Sequence, residues 1–163
     1  MEILKFQFHH LDAVKKLYRD SRLATFTWQD SVLFELSDFD RDTEGEDIWV
    51  VSKSNEILGF IAIWEPDNFI HHLFVSPSNL RIGVGLELLE FAKQRYSNLS
   101  LKCLTQNSNA IGFYRSQGFT IVETVDDGAE SYHLMKCHAE AWSLRASPLN
   151  WALSAINNSD IKK

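Results

Sequence analysis

Residues 69–92, FIHHLFVSPSNLRIGVGLELLEFA, set the frame for the whole 163-residue chain. Residues 69–75 are a short run of aromatic, branched and aliphatic side chains closed by Ser76-Pro77-Ser78-Asn79, which predicts a buried strand and then a turn. Val84, Leu88 and Phe91 recur at i, i+4 and i+7, and Leu89 and Ala92 widen the stripe, which predicts a helix packed by one face. Gly83 and Gly85 stand where that helix begins. A helix start presents N–H groups and the positive end of the macrodipole, so it suits an anion such as phosphate. Glycine lets the backbone approach such a ligand, because no Cβ stands in the way. Alone, Gly-x-Gly is a weak signal. The third glycine of the dinucleotide fingerprint is replaced by Leu88, and many plain tight turns share the pattern.

Size and charge narrow the classes. A chain of this length is most simply one domain, and 45% hydrophobic with 23% charged residues is ordinary for a globular protein. A net charge of −6 argues against non-specific binding to nucleic acid or anionic membrane and accords with a cationic or amine substrate. No basic stretch followed by an apolar one opens the chain, and no apolar run reaches membrane length, so no membrane association is expected. Cys103 and Cys137 give no disulfide framework, which points to a reducing, cytoplasmic setting.

Periodicity places the remaining elements. Residues 2–8 alternate as a first strand, and Asp12 is expected to cap a helix over 13–24. A second helical piece at 31–38 follows the connector Thr25-Phe26-Thr27-Trp28, and the acid-rich run 38–47 reads as a solvated loop. Strands at 48–52 and 57–64 come next, the second holding Gly59 as a bulge or close-approach site. After the 69–96 unit, LSLKCL predicts a strand, and NSNAIGFYRSQGF a short helix that Gly118 ends. Residues 119–125 and 131–137 pair as a hairpin. The domain so defined, 1–138, is α/β, with a mixed, largely antiparallel sheet flanked by helices. A C-terminal extension, 139–163, is expected to be helical at 148–157 after Ser147-Pro148, docked on the domain or on a partner subunit in a homodimer.

The segment LFVSP, then Gly83-Val84-Gly85 and a helix, then after a strand Asn107, Ala110, Phe113, Tyr114, Gly118 and Phe119, resembles the GNAT N-acetyltransferase superfamily. The resemblance spans residues 48 to about 136, and the N-terminal helices fit the same topology. It implies an enzyme using acetyl-CoA, with the backbone of Leu73, Phe74 and Val75 binding the pantetheine arm. The loop Leu80, Arg81, Ile82, Gly83, Val84 and Gly85 would then wrap the pyrophosphate, and Asn107, Ala110 and Tyr114 would complete the cofactor side. The family usually has Gln or Arg where Leu80 stands. Contacts from such a loop are mostly backbone N–H groups, and Arg81 supplies a charge one place on.

Acetyl transfer to an amine needs an acid for the departing thiolate and a base for the amine proton. A phenol of pKa about 10 can protonate a thiolate whose conjugate acid has pKa of roughly 8–9, so Tyr114 is the expected acid. Its plainer reading is a core tyrosine beside Phe113, and Asn107 has a plainer role as a helix N-cap. Some family members carry a carboxylate where Lys102 stands, so the base is sought elsewhere: Glu65, His71 or His72. By alternation His71 groups with Leu73 and Val75, and His72 with Ile70 and Phe74, so only one histidine faces the substrate. A hydrogen-bonded structural role is the plainer reading for each. That geometry also speaks against a metal site on the pair. His9, His10, His133 and His138 read as surface or strand-edge residues. Phe26 and Trp28 either wall an acceptor pocket or staple the helices to the sheet. Glu44, Glu46 and Asp47 read as loop carboxylates, and Cys103 as a small core residue.

The expected function is acetyl-CoA-dependent N-acetylation of a primary amine, small molecule or peptide, by direct attack in a ternary complex. The alternative is a non-catalytic acyl-CoA-binding or regulatory module. A nucleotide-binding domain sharing only the Gly-x-Gly turn is a third reading.

Overall fold

The computed structural model describes residues 1–138. In chain order the elements are β1 (Glu2–Lys5), α1 (Leu11–Thr25), α2 (Asp38–Asp42), β2 (Asp47–Lys53), β3 (Glu56–Trp64), β4 (Phe69–Val75), α3 (Val84–Arg95), β5 (Ser100–Leu104), α4 (Ser108–Ser116), β6 (Phe119–Val125) and β7 (Tyr132–Cys137). They build one seven-stranded sheet in the order β1-β2-β3-β4-β5-β7-β6. All neighbours are antiparallel except β4 and β5. The mixed, largely antiparallel α/β architecture is the one the hydrophobic patterning implies. Among these residues no helix is long and apolar enough to cross a membrane.

Alternation along the strands divides the core in two. Ile61, Ile63, Leu73 and Val75 pack under Val84, Leu88 and Leu89 of α3 and Phe113 and Tyr114 of α4. On the opposite face Val50, Phe60, Ala62 and Phe74 meet Val14, Leu17 and Tyr18 of α1 and Phe39 of α2. Phe60 and Phe74 stack with ring centroids 5.9 Å apart, and Tyr18 meets both edge-on. Edge-to-face contact directs the positive ring edge at a negative face, so these rings fix one another's orientation as well as excluding water.

Gly59 is a close-approach site. A Cβ there would lie 2.8 Å from both the Phe74 carbonyl oxygen and Val84 Cγ1, so only glycine lets α3 sit this near β3. It also lies beside a register shift in β2, where Val51 pairs with Gly59 and Ser52 with Ile57.

Three local expectations are corrected. Asp12 does not cap α1: the helix begins at Leu11, so the carboxylate lies within the first turn, where the macrodipole still favours it. His10 is buried rather than superficial, and its Nδ1 accepts the Gln7 N–H at 3.1 Å. The 31–38 helix is replaced by a single 3-10 turn, Ser31–Leu33, with α2 starting only at Asp38.

The reason is electrostatic. Asp38 is buried, 2.9 Å from the Arg22 guanidinium, and its Oδ2 also accepts the Glu35 N–H. Those bonds hold residues 35–38 as a clip, a tertiary contact that overrides helical periodicity. The same logic overturns the solvated loop at 38–47. The Glu46 side chain is wholly buried and pairs with His71. Asp47 is nearly buried, accepting Tyr96 O–H and Trp49 Nε1–H and pairing with Lys5. The helix expected at 148–157 lies outside the described residues.

Candidate active site

Strand β4 runs through the middle of the sheet and breaks its regularity twice. Against β3, Ala62 pairs with His72 but Ile63 pairs with Ile70, so His71 is an extra residue. This bulge resets the alternation: Ile70 joins Leu73 and Val75 on the α3–α4 face, while His72 and Phe74 face α1. Sequence parity alone had put Ile70 with His72. Against β5, the ladder is two pairs long, Phe69 with Ser100 and Ile70 with Leu101, and the strands part beyond it. Leu73, Phe74 and Val75 follow this parting.

At the C-terminal end of β4 the chain makes a 3-10 turn at Pro77–Asn79 and enters the loop before α3. Leu80 packs its side chain against the α3–α4 core, which anchors the loop from below. Arg81 adopts a left-handed conformation with φ 63°, and Gly83, the N-cap residue of α3, has φ 94°. Loops with such left-handed positions can direct backbone N–H groups into a concave anion seat. Ile82 is half exposed, Val84 is buried beneath it, and a Cβ on Gly83 would meet nothing within 4 Å. There is open space at Gly83, and the exposed Arg81 and the helix start are groups that could hold a phosphate-bearing cosubstrate such as acetyl-CoA.

Across the parting, Asn107 caps α4: its Oδ1 accepts the Ala110 N–H at 3.2 Å. Ala110 and Tyr114, at i and i+4, lie on the buried face of α4, with the Tyr114 ring 5.2 Å from Phe113 and 5.5 Å from Phe119. Gly118, at φ 90°, provides the left-handed turn after α4.

The opposite face carries a pocket of about 350 Å³. Tyr18 and Arg22 of α1 and Asp38, Arg41 and Asp42 of α2 form its walls, and buried His72 lines it from the sheet. Gln29, Leu33, Phe34 and, from the β6–β7 connection, Glu130 complete its lining. The Asp42 carbonyl lies 3.1 Å from His72 Nε2, and the Asp42 carboxylate accepts the Tyr18 hydroxyl at 2.7 Å. Burial, with the Asp42 carboxylate beside it, pushes the Tyr18 phenol far above its ordinary range despite Arg22, so Tyr18 remains a neutral donor. Burial alone would raise Asp38. The Glu35 N–H and the Arg22 guanidinium outweigh it and hold the carboxyl below its ordinary value of 3.8.

The expected site residues thus fall into three places. Leu73 to Val75 lead through the Pro77–Asn79 turn into the 80–85 loop. Tyr114 belongs to the α3–α4 core that also takes Leu73 and Val75, and His72 lies on the α1 face, one residue before Leu73. Glu65 is apart from both, in an exposed turn after β3, 3.3 Å from the Tyr96 hydroxyl that donates to Asp47. His71 pairs with Glu46 and stacks parallel to Trp64. Phe26 is a core residue that Trp28 meets edge-on, so this pair staples the connector, and the pocket takes Leu33 and Phe34 instead. Tyr18, Arg22, Asp38 and Asp42 were missed because nothing in their spacing joins α1 to α2. The lone arginine on the buried face of α1 was the available signal.

Comparison with known proteins agrees with this geometry. The model of the Acetyltransferase (GNAT) family matches residues 11–119. The peptidyl-lysine N-acetyltransferase YiaC of Escherichia coli is 39% identical over 75 residues, covering 46% of this chain and 51% of that one. The peptidyl-lysine N-acetyltransferase YjaB of the same organism is 31% identical over 91 residues, 54% of this chain and 60% of that one. The chain thus spans about half to three-fifths of the length of these curated relatives. In structure, YjaB from Escherichia coli in its apo form superposes with TM-score 0.69 at 25% identity, over 84% of this chain and 96% of that one. The PaiA N-acetyltransferase of Thermoplasma acidophilum, solved with coenzyme A, gives TM-score 0.69 at 19% identity, over 84% and 98%. With a family match that spans its helices, its parted strands and the loop before α3, the chain belongs to the GNAT acetyltransferase family.

Proposed function

We propose that the protein transfers the acetyl group of acetyl-CoA to a primary amine, by direct attack while both substrates are bound. The observation that carries this reading is the parting of β4 and β5 between the glycine-bearing loop before α3 and a polar pocket on the opposite face. The backbone of Leu73, Phe74 and Val75 would take the extended arm of the cosubstrate as an added strand, and the 80–85 loop its phosphates. The relatives named as peptidyl-lysine N-acetyltransferases support a lysine side chain as the acceptor.

When bound, acetyl-CoA supplies a thioester carbonyl. The N–H of Phe74 or Val75 stabilises the negative charge that develops on the carbonyl oxygen. His72 takes the proton of the amine at Nδ1. Its Nε2 is committed to the Asp42 carbonyl, which only accepts, so in the neutral ring Nε2 bears the hydrogen and Nδ1 the lone pair. The new bond joins amine nitrogen to acetyl carbon, the carbon–sulfur bond breaks, and Tyr114 gives its hydroxyl proton to the departing sulfur. Water returns that proton to Tyr114 while the His72 imidazolium releases its own. Glu65, hydrogen-bonded in its exposed turn, holds the end of β3 rather than the amine. Cys103 and Cys137 are buried thiols, in keeping with a reducing cytoplasm.

The test is thiol release from acetyl-CoA with a panel of small amines and lysine peptides, with the product weighed by mass spectrometry. Amine-dependent release with an acetylated product is the expected result. Binding of acetyl-CoA without release for any amine would instead favour a non-catalytic acyl-CoA-binding module.

A further inference from the structure

At its last residue β4 turns a main-chain carbonyl away from its neighbour β3. Ser76 N–H donates to the Leu58 carbonyl at 2.8 Å, across the Gly59–Val75 pair. In an antiparallel ladder that bond marks Gly59–Val75 as a non-hydrogen-bonded pair, so the N–H and C=O of Val75 point to the β5 side. Phe74, one place back, turns its own main-chain groups to β3. The ladder to β5 ends at Ile70 and Leu101, five residues short of Val75 in β4. Val75 is buried, and a buried carbonyl left without a partner costs free energy.

Helix α1 supplies the partner. Ser21 Oγ donates to the Val75 carbonyl at 2.9 Å, across 54 positions of sequence. Val14, Leu17, Tyr18 and Ser21 recur at i, i+3, i+4 and i+7, so Ser21 holds a core position on the buried stripe of α1. It is wholly buried, where alanine would fill the space with no hydroxyl to satisfy. A serine inside a helix commonly bonds the carbonyl one turn back, and this one reaches the sheet instead. The peptide unit between Val75 and Ser76 is thus held at both ends, its oxygen by α1 and its N–H by β3. A carbonyl oxygen has two lone pairs, so the bond to Ser21 leaves a second.

Resting on the placement of the cosubstrate arm along β4 given above, we propose that Ser21 is a positioning residue for acetyl-CoA. Its hydroxyl sets the Val75 carbonyl toward the parting, where the second lone pair accepts an amide N–H of the arm. Ser21 acts on β4 and not on the 80–85 loop. Its loss weakens the hold on the arm and spares the hold on the phosphates.

Wild type and Ser21→Ala, each as the whole chain, are titrated by calorimetry with CoA and with adenosine bisphosphate, the nucleotide half of CoA that lacks the arm. The variant is expected to bind CoA about five- to tenfold more weakly and the nucleotide half equally well. Its kcat/KM for acetyl-CoA falls by the same factor, through KM rather than kcat. Ser21→Cys, a weaker donor of similar shape, is expected to fall between, and it is read in place of the alanine variant should that one not fold. Unchanged CoA affinity overturns the proposal. So does equal weakening of both ligands, the mark of a general loosening, or a loss in kcat with KM intact. Failure of both variants to fold makes the bond a structural one and overturns it too. If the effect on the arm is found but no amine is acetylated, the acetyltransferase reading falls and Ser21 keeps its role in binding. If wild type binds no CoA, both fall together.

Discussion

His72 Nε2 lies 3.1 Å from the main-chain oxygen of Asp42, which ties the sheet side of the α1–α2 pocket to the last turn of α2. The Asp42 carboxylate in turn holds Tyr18 O–H at 2.7 Å, and the Tyr18 ring packs edge-on to His72 with centroids 5.4 Å apart. Imidazole orientation is thus set by a helix end and by a phenol that stays neutral.

If His72 receives the amine proton, His72→Gln keeps a side-chain amide able to donate to the Asp42 carbonyl but removes the base. Turnover at saturating acetyl-CoA and amine is expected to fall by about 100-fold, with KM for acetyl-CoA little changed. Initial rates of thiol release measure it.

Arg22 and Asp38 are both nearly buried and meet at 2.9 Å, so removing Arg22 leaves the buried carboxylate with only the exposed Arg41 as an ionic partner. Arg22→Ala is expected to destabilise the domain by about 3–5 kcal/mol, read by urea denaturation. The pH dependence has a definite sign. Because folding lowers the Asp38 pKa from 3.8, the unfolded chain binds its proton first on acidification. The stabilisation is fully present above the unfolded value and is lost as pH falls through the lower folded value. Wild type should therefore lose stability steeply below about pH 4, and Asp38→Asn should flatten that limb.

Gly83 and Gly85 separate strain from space. Alanine at 83 meets no neighbour within 4 Å but is strained at φ 94°, so it should cost about 1 kcal/mol in the ligand-free protein. Alanine at 85 lies in the first turn of α3, 3.6 Å from Val75 Cγ2, an ordinary contact, and should be neutral or stabilising by up to about 1 kcal/mol. Both put a methyl group at the anion seat, so both should weaken CoA. Thermal unfolding with and without CoA resolves the opposite signs.

How much of this was legible beforehand depended on how local the cause was. β4, α3, α4 and β6 were read to within a residue or two, because period, glycine and turn residues act within a few positions. Gly59 was legible as a close-approach site for the same reason. The His71 bulge was not: one extra residue leaves no mark in the sequence and reverses the face of everything beyond it. The acid-rich 38–47 run failed as a loop because its partners are distant. Arg22 lies 16 residues before Asp38, and His71 lies 25 after Glu46. The glycine-bearing loop before α3 was legible from Gly83 and Gly85, and Leu80, where the family usually has Gln or Arg, packs its side chain against the core. The α1–α2 pocket was illegible, since α1, α2 and β4 meet there only in space.

The most direct test of the mechanism is Tyr114→Phe, which removes one buried hydroxyl and leaves the ring packed on Phe113 and Phe119. CoA affinity by calorimetry and thiol release with a lysine peptide should be measured on the same preparations. Loss of turnover by about 100-fold or more, with CoA affinity nearly unchanged, is the predicted result. Turnover equal to wild type would contradict Tyr114 as the acid and, with it, the assignment of the parted strands as the site of acetyl transfer.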